Sequence, residues 1–120
     1  MSTLKVTNIQ ATGETASRAV SGVAAAWFNL NYSTSSVTDS LNIASLTDNG
    51  TGDHDLNFTN NMGNTNYTLG TCGTSAYNFI VSIVDENSLL TTDVRVQART
   101  GSQALTDSVI VLGSIHGDLA

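Results

Sequence analysis

The sequence has no proline, a single cysteine and little charge. Only 12% of its 120 residues are charged, which is about half the usual share in a soluble domain. Because Cys72 has no second cysteine to pair with, an intrachain disulfide and the disulfide framework of small secreted domains are excluded. Without proline, one common device for protecting the edges of β-sheets is missing. We therefore expect neighbouring subunits to cover these edges.

Positive charge is especially scarce. Four Lys and Arg residues stand against ten Asp and Glu residues, which gives a net charge of -6, and the stretch between Ala19 and Asp93 has no Lys or Arg. A nucleic-acid site needs a basic patch to neutralise phosphates, and an anionic membrane surface attracts the same patch. No apolar run approaches the roughly 20 residues of a spanning helix. We expect neither a nucleic-acid partner nor membrane insertion.

Hydroxyl and amide side chains take the place of charge. The chain has 17 Thr, 14 Ser and 12 Asn residues, while hydrophobic residues make up 40%. Disorder normally combines low hydrophobicity with high charge, and this composition has neither. The length suits one domain, since single cores occupy roughly 100 to 200 residues. The start has Ser2, Thr3 and Lys5 where a signal peptide would have a long apolar segment. The single cysteine suits assembly in a reducing cytoplasm, which we therefore expect.

Apolar and polar residues alternate along most of the chain, which is the two-residue period of half-buried strands. The pattern predicts seven or eight short strands, and the sequence Asn49-Gly50 predicts a hairpin turn. With no long helical segment between the strands, we predict an all-β fold, an antiparallel, jelly-roll-like β-sandwich. The strand signals lie at Phe28 to Tyr32, Leu41 to Ile43, Leu56 to Phe58, Asn66 to Thr71, Tyr77 to Val84, Asp93 to Ala98 and Ser108 to Ile115.

The first residues have a different character. Leu4 to Ile9 alternates and indicates a short strand or an extended arm, whereas Thr15 to Val23 has the spacing of one short, weak helix. We predict an attachment and oligomerisation arm over residues 1–24 and a β-sandwich over residues 25–120. The segments Phe79 to Val81 and Val109 to Leu112 are apolar on both faces, so either a loop or a second subunit covers them.

No catalytic, cofactor or metal site is predicted. Asp48, Asp53 and Asp55 could offer oxygen ligands to Ca²⁺, but their spacing does not fit the EF-hand loop, and a solvated hairpin turn explains them. His54 and His116 lie in no metal motif and are interpreted as surface or interface residues.

The remaining candidates also favour structural roles. Cys72 has no flanking positive charge and is interpreted as a buried or unreactive thiol. Asp85 and Glu86 are neighbours and would point to opposite faces of a strand, so a turn after Val84 explains them better than glycoside hydrolysis. The larger aromatic side chains are predicted to pack in the core or in an interface, although such residues also bind sugars; they are Trp27, Tyr32, Tyr67 and Tyr77.

One stretch resembles a segment that recurs in tail-fibre proteins of bacteriophages, including marine ones. Residues 41–59 read LNIASLTDNGTGDHDLNFT, in which an aliphatic strand leads into Thr-Asp-Asn-Gly-Thr-Gly-Asp and an alternating strand. Residues 22–31, GVAAAWFNLN, are similar to the family's strand around Ala-Trp-Val-Asn-Phe-Asn, and Asn64 to Tyr67 matches its Asn-Tyr position. Tyr32 and Gly63 depart from the family, which commonly has Gly and Pro there.

The resemblance implies a structural protein of a bacteriophage virion: a trimeric tail fibre, spike or capsid-decoration subunit that is not an enzyme. The expected partners are two further copies, other virion proteins bound through the N-terminal arm, and a host surface glycan or protein. For the trimer interface we expect the doubly apolar strands and the small residues from Ala16 to Ala26. The alternative function is a free carbohydrate-binding, lectin-like β-sandwich module.

Overall fold

A computed structural model describes residues 2–9, 12, 18–19, 23–74, 80–108 and 110–120. The strands in this part of the chain are β1 (Asn8–Ile9), β2 (Arg18–Ala19), β3 (Ala24–Asn31), β4 (Ser36–Leu41), β5 (Ile43–Gly50), β6 (Asp53–Phe58), β7 (Thr68–Thr74), β8 (Ile80–Ile83), β9 (Asp93–Arg99) and β10 (Ile110–His116). Two short 3-10 turns, Tyr32–Thr34 and Glu86–Ser88, complete the regular structure of these residues.

The last eight strands form two four-stranded antiparallel sheets that pack together as a β-sandwich. Sheet 1 has the order β4-β3-β10-β7, and sheet 2 has the order β5-β6-β9-β8. Three hairpins join neighbouring strands, namely β3-β4, β5-β6 and β8-β9. The two central strands of sheet 1, β3 and β10, are the first and the last strand of the sandwich in the sequence. The all-β sandwich predicted from the alternation is confirmed.

The core follows from the two-residue period of the strands. On β3, Phe28 and Leu30 point between the sheets and are buried, while Trp27 on the other face is 38% exposed. The same alternation holds along β6 and β9, where every second side chain is buried. The buried apolar side chains that fill the space between the sheets come from both sheets and their connections: Ala26, Phe28, Leu30, Tyr32, Leu56, Phe58, Met62, Tyr67, Val94, Val96, Ala98, Val111 and Ile115.

A sharp corner carries the chain from sheet 1 to sheet 2. Asn42 has a φ of 61°, in the left-handed region that Asn tolerates better than most residues. Its side chain accepts a hydrogen bond from the backbone N–H of Asn60 at 2.7 Å and donates one to the carbonyl of Asn60 at 3.0 Å. The sequence indicated one strand around Leu41 and Ile43. The corner at Asn42 divides it into β4 and β5.

The N-terminal region differs in part from the prediction. Residues 2–9 are all exposed, with Leu4 84% exposed, and only Asn8 and Ile9 form a strand, which pairs with Arg18–Ala19. The helix predicted over Thr15 to Val23 is wrong at Arg18 and Ala19, which are extended; the small side chains give a helix little apolar area to bury. Residues 15–17 and 20–22 of that helix lie outside the described residues, as does the predicted strand start at Tyr77.

The sandwich begins at Ala24, one residue before the boundary predicted at residue 25. Two further strands, β9 and β10, lie within two residues of their predicted limits. No helix among the described residues has the length and apolar character needed to cross a membrane.

Candidate functional site

The turn that carries the family resemblance is a hairpin connection between β5 and β6. Asp48 stabilises it from an exposed position by accepting hydrogen bonds from the Gly50 N–H and from the Ser35 hydroxyl, each at 2.9 Å. These bonds, the Gly50 bond above all, hold the pKa of Asp48 below its usual value. The predicted hairpin is confirmed, but it is not solvated throughout, because Asp53 is only 6% exposed and His54 is fully buried.

Asp53 lies on the outer face of sheet 2 in a polar network. Arg95 donates two hydrogen bonds to its carboxylate, from Nε to Oδ1 and from Nη2 to Oδ2, both at 2.8 Å. Gln97 donates a third at 2.9 Å, and Arg99 in turn donates to Gln97. The Arg95 bonds, more than the Gln97 bond, hold the pKa of Asp53 low. Asp53 is therefore a structural anion rather than a free metal ligand.

His54 points the other way, into the core. Its ring lies 4.0 Å from the Tyr32 ring between centroids, and Nε2 lies 3.0 Å from the Ser35 hydroxyl oxygen. Nδ1 is buried and makes no hydrogen bond to the described residues. The interpretation of His54 as a surface or interface residue is wrong. Its position explains the error: His54 has the parity of Leu56 and Phe58, which also point inward on β6.

Burial lowers the pKa of His54, although four carboxylates near it act in the opposite direction. These are Asp48 on β5, Asp53 and Asp55 on β6, and Asp107 in the connection after β9. The folded protein therefore keeps His54 neutral at a pH where the unfolded chain already binds a proton.

We expect the free energy of unfolding to fall as the pH drops below about 6.5, by at most about 1.4 kcal/mol per pH unit. The sign follows from the lowered pKa in the folded state, because acid then favours the unfolded chain. Urea unfolding between pH 7.5 and 5 measures the slope. The slope should decrease in His54→Leu and persist in His116→Gln, a change at an exposed position. Equal slopes in all three proteins would contradict the assignment to His54.

The other polar candidates do not converge on one place. Cys72 is exposed on β7, so the buried alternative is wrong, and an unreactive thiol stays a prediction. Asp85 caps the short turn Glu86–Ser88 by accepting from the Asn87 N–H at 2.9 Å, which confirms a turn after Val84. Among the residues that the structure describes, no group of three or more His, Cys, Asp or Glu side chains could hold a metal ion.

The aromatic residues divide into core and surface. Tyr32 and Tyr67 are buried, as predicted; Tyr67 donates from its hydroxyl to the Leu90 carbonyl at 2.9 Å, and burial raises its pKa to about 12. Of the aromatic side chains that the structure describes, Trp27 is the one with a large exposed fraction. Tyr77 lies outside the described residues.

Trp27 is the centre of a mixed surface, which we call the Trp27 face, on the outer side of sheet 1. The strand register places Trp27 between Leu41 on β4 and Ser114 on β10. Two residues further along β3, Asn29 lies between Asp39 on β4 and Leu112 on β10. Leu41 is 48% and Ile110 is 36% exposed on the same side. Side chains of this kind suit contact with a partner, because indole and leucine carry apolar area while the amide and carboxylate offer hydrogen bonds.

A shallow pocket of about 300 Å³ lies on sheet 2 beside the turn after β8. Its wall combines the guanidinium of Arg95 with the carboxylates of Asp55 and Asp93 and the apolar side chains of Val84 and Leu90. Asp85 accepts hydrogen bonds from the Asn87 N–H and the Ser88 hydroxyl within the turn. The pocket therefore has a mixed wall, in which three carboxylates and one guanidinium lie beside apolar side chains.

Comparison of the chain with protein-family models, with curated proteins and with solved structures gives no match. The surfaces described above therefore carry the functional argument together with the resemblance in residues 41–59. The sequence indicated neither the Asp53–Arg95 pair nor the Trp27 face. The Asp53–Arg95 pair joins residues 42 positions apart in the sequence. The residues of the Trp27 face can be identified only when the strand order of sheet 1 is known.

Proposed function

We propose that the chain is a structural protein of a bacteriophage virion: a trimeric tail fibre, spike or capsid-decoration subunit that contributes to host-surface adhesion and has no catalytic role. In this proposal residues 1–24 attach the domain to its neighbours in the particle, and the sandwich of residues 25–120 faces outward. The phage assignment rests on the resemblance of residues 22–31 and 41–59.

The observation that carries the assembly role is apolar surface at two separate places. Leu4, Val6 and Ile9 are exposed in the N-terminal arm, and Trp27 and Leu41 are exposed on the Trp27 face. Each buried square ångström of such surface contributes about 25 cal/mol. A subunit of a particle gains this energy when it binds its neighbours, whereas an isolated chain leaves the surface in water.

The turn that carries the resemblance also stabilises the sandwich. Gly52 donates from its N–H to Asp107 at 2.7 Å and accepts at its carbonyl from the Ala98 N–H at 2.8 Å, which ties the turn to β9 and the connection after it. Asp53 binds Arg95 on β9. These bonds tie the resembling segment to β9 and to the connection after it. They support extending the resemblance from the segment to the whole sandwich.

The location is tested by mass spectrometry of particles purified from cells that express the phage genome encoding the chain. We expect the chain to copurify with the particle through a density gradient, at a copy number that is a multiple of three. A cytosolic host protein of similar abundance is the control for carry-over. Absence of the chain from purified particles would contradict the proposal.

The trimer has its own test. We expect light scattering on the purified chain at micromolar concentration to give three times the monomer mass of 12.5 kDa. Ile110→Asp places a charge on the Trp27 face and should raise the dissociation constant at least tenfold, because the interface would bury an unpaired carboxylate. Since Ile110 is 36% exposed in the single chain, the variant should still fold. Val23→Asp, at another exposed position, should act in the same direction. A stable wild-type monomer would contradict the trimer.

Trp27 favours a second candidate, a carbohydrate-binding module. An exposed indole on a sheet can stack against the C–H face of a pyranose while Asn29, Asp39 and Ser114 bind its hydroxyl groups. A glycan array tests this function, with Trp27→Ala expected to abolish any binding and Leu105→Ala, another exposed apolar position, to preserve it. Strong glycan binding by a chain that is absent from particles would favour the module over the virion protein.

A further inference from the structure

Among the strands that the structure describes, β7 lies at one edge of sheet 1. β7 (Thr68–Thr74) pairs with β10 on one side and ends the sheet on the other. Within the part of the chain that the structure describes, its backbone makes no hydrogen bond outside the ladder with β10. A row of free N–H and C=O groups on such an edge is a template for a further strand.

This edge has none of the usual features that prevent pairing. β7 reads Thr-Leu-Gly-Thr-Cys-Gly-Thr, without charge or proline, and its register with β10 runs through seven residue pairs without a bulge. A Cβ built on Gly70 meets nothing within 4 Å, so the outer face of sheet 1 is open beside this residue. Natural edge strands usually have a lysine, a proline or a bulge at this place.

Apolar side chains lie beneath the same edge. Leu69 on β7, and Val81 and Ile83 on β8, pack against the core but are only partly buried. Thr71 connects the two strands by donating to the Val81 carbonyl at 2.7 Å. A strand added to β7 with apolar side chains on its inner side would complete the burial of this group.

The N-terminal arm has the complementary features. Residues 2–9 are exposed, and in the part of the chain that the structure describes residues 2–7 have no strand partner. Leu4 and Val6 alternate with Lys5 and Thr7, so an extended arm has one apolar face. The six residues 2–7 span about 20 Å when extended, which is most of the roughly 23 Å of a seven-residue strand.

Charge also favours this match. Lys5 is the single charged residue of the segment Ser2 to Ile9, and the whole chain has a net charge of -6. The arm is therefore positively charged and the body to which it would bind is acidic, so approach of the arm to a second copy is electrostatically favourable.

We propose that the arm of one copy adds to the free edge of β7 in a second copy and forms a fifth strand of its sheet 1. Leu4 and Val6 face the inner side beside Leu69, while Lys5 and Thr7 lie on the outer side with Gly70 and Cys72. In a trimer each copy gives its arm to the next copy, so the contact runs head to tail and closes into a ring. Strand addition goes beyond the proposed function. Only the number of three copies rests on that function, and cross-linking of the purified chain tests strand addition separately.

The native Cys72 allows a direct test, because a disulfide can form only between two cysteines whose Cα atoms lie within about 7 Å of each other. Cysteine is introduced singly at Leu4, Lys5, Val6 and Thr7, each protein is mildly oxidised, and a non-reducing gel separates the products. We expect cross-linked dimers and trimers for Lys5→Cys or Thr7→Cys, at least fivefold more than for Leu4→Cys and Val6→Cys. The same variants combined with Cys72→Ser should give none, and wild type gives the background of Cys72 pairs.

Three results would overturn the proposal: equal cross-linking at all four positions, no cross-linking above the wild-type background, or cross-links formed within a single chain. Proline variants provide the second measurement. Successive N–H groups of a strand point to opposite edges, so one of the two variants Lys5→Pro and Val6→Pro removes an N–H that would face β7. That variant should lower cross-linking of Thr7→Cys at least fivefold, whereas Ser2→Pro should not. All three positions are exposed, so no variant should lower the Tm of the sandwich. Full cross-linking in both Lys5→Pro and Val6→Pro would contradict strand addition.

Discussion

Gly52→Ala is expected to lower the free energy of unfolding by about 3 to 5 kcal/mol, the range of the most damaging single substitutions. Gly52 has a φ of 66°, in the left-handed region that L side chains avoid. A Cβ there would lie 2.6 Å from the Ala98 carbonyl oxygen and 2.6 Å from the Thr106 nitrogen, and these backbone atoms cannot move without loss of the β9 connection. Urea unfolding measures the loss.

Gly70→Ala is the matched control, because a Cβ at Gly70 meets nothing within 4 Å. We expect it to change the free energy of unfolding by less than about 0.5 kcal/mol, as is usual for surface positions. If Gly52→Ala were as stable as Gly70→Ala, the close approach of the turn to the connection after β9 would not exist in the protein.

Arg95→Met is expected to cost about 2 kcal/mol at pH 7. Loss of the guanidinium leaves the carboxylate of Asp53 with Gln97 alone at a place that is only 6% exposed. Breaking a fully buried pair costs about 3 to 5 kcal/mol. We take a smaller value because the Arg95 side chain is 43% exposed and water screens the pair.

The loss should depend on pH in a defined direction. Because Arg95 lowers the pKa of Asp53, the stabilisation is fully present above the pKa of an unfolded Asp, about 3.9, and disappears as the pH falls through the lower folded value. Wild type and Arg95→Met should therefore converge once the pH has fallen below the folded pKa of Asp53. Arg99→Met, which removes the bonds to Gln97 and to the Gln103 carbonyl, should cost less than about 1 kcal/mol. A pH-independent loss in Arg95→Met would contradict the pairing with Asp53.

The sandwich could be predicted because its main determinant is local. Along β3, β6 and β9 the alternation of apolar and polar residues decides which side chains are buried, and Asn49-Gly50 marks a turn. The strand β4 escaped detection because Val37 is its one half-buried apolar residue beside polar neighbours, and its end depends on the left-handed Asn42.

The candidate surfaces were harder to predict, because they depend on long-range pairing. The alternation places Trp27 on the face opposite Phe28 and Leu30, but its neighbours on β4 and β10 follow only from the order β4-β3-β10-β7. The burial of Asp53 depends on Arg95 in another strand. The parity of His54 with Leu56 and Phe58 was present in the sequence and would have indicated that the histidine points inward.

The central claim is that the chain is a trimeric subunit of a phage particle, and a cryo-EM reconstruction of the intact particle tests it most directly. The proposed function predicts density for three sandwiches around a threefold axis on the tail or capsid, with residues 1–24 in contact with neighbouring subunits of the particle. A reconstruction in which all density is assigned to other proteins, or in which the sandwich occurs as single copies, would contradict it.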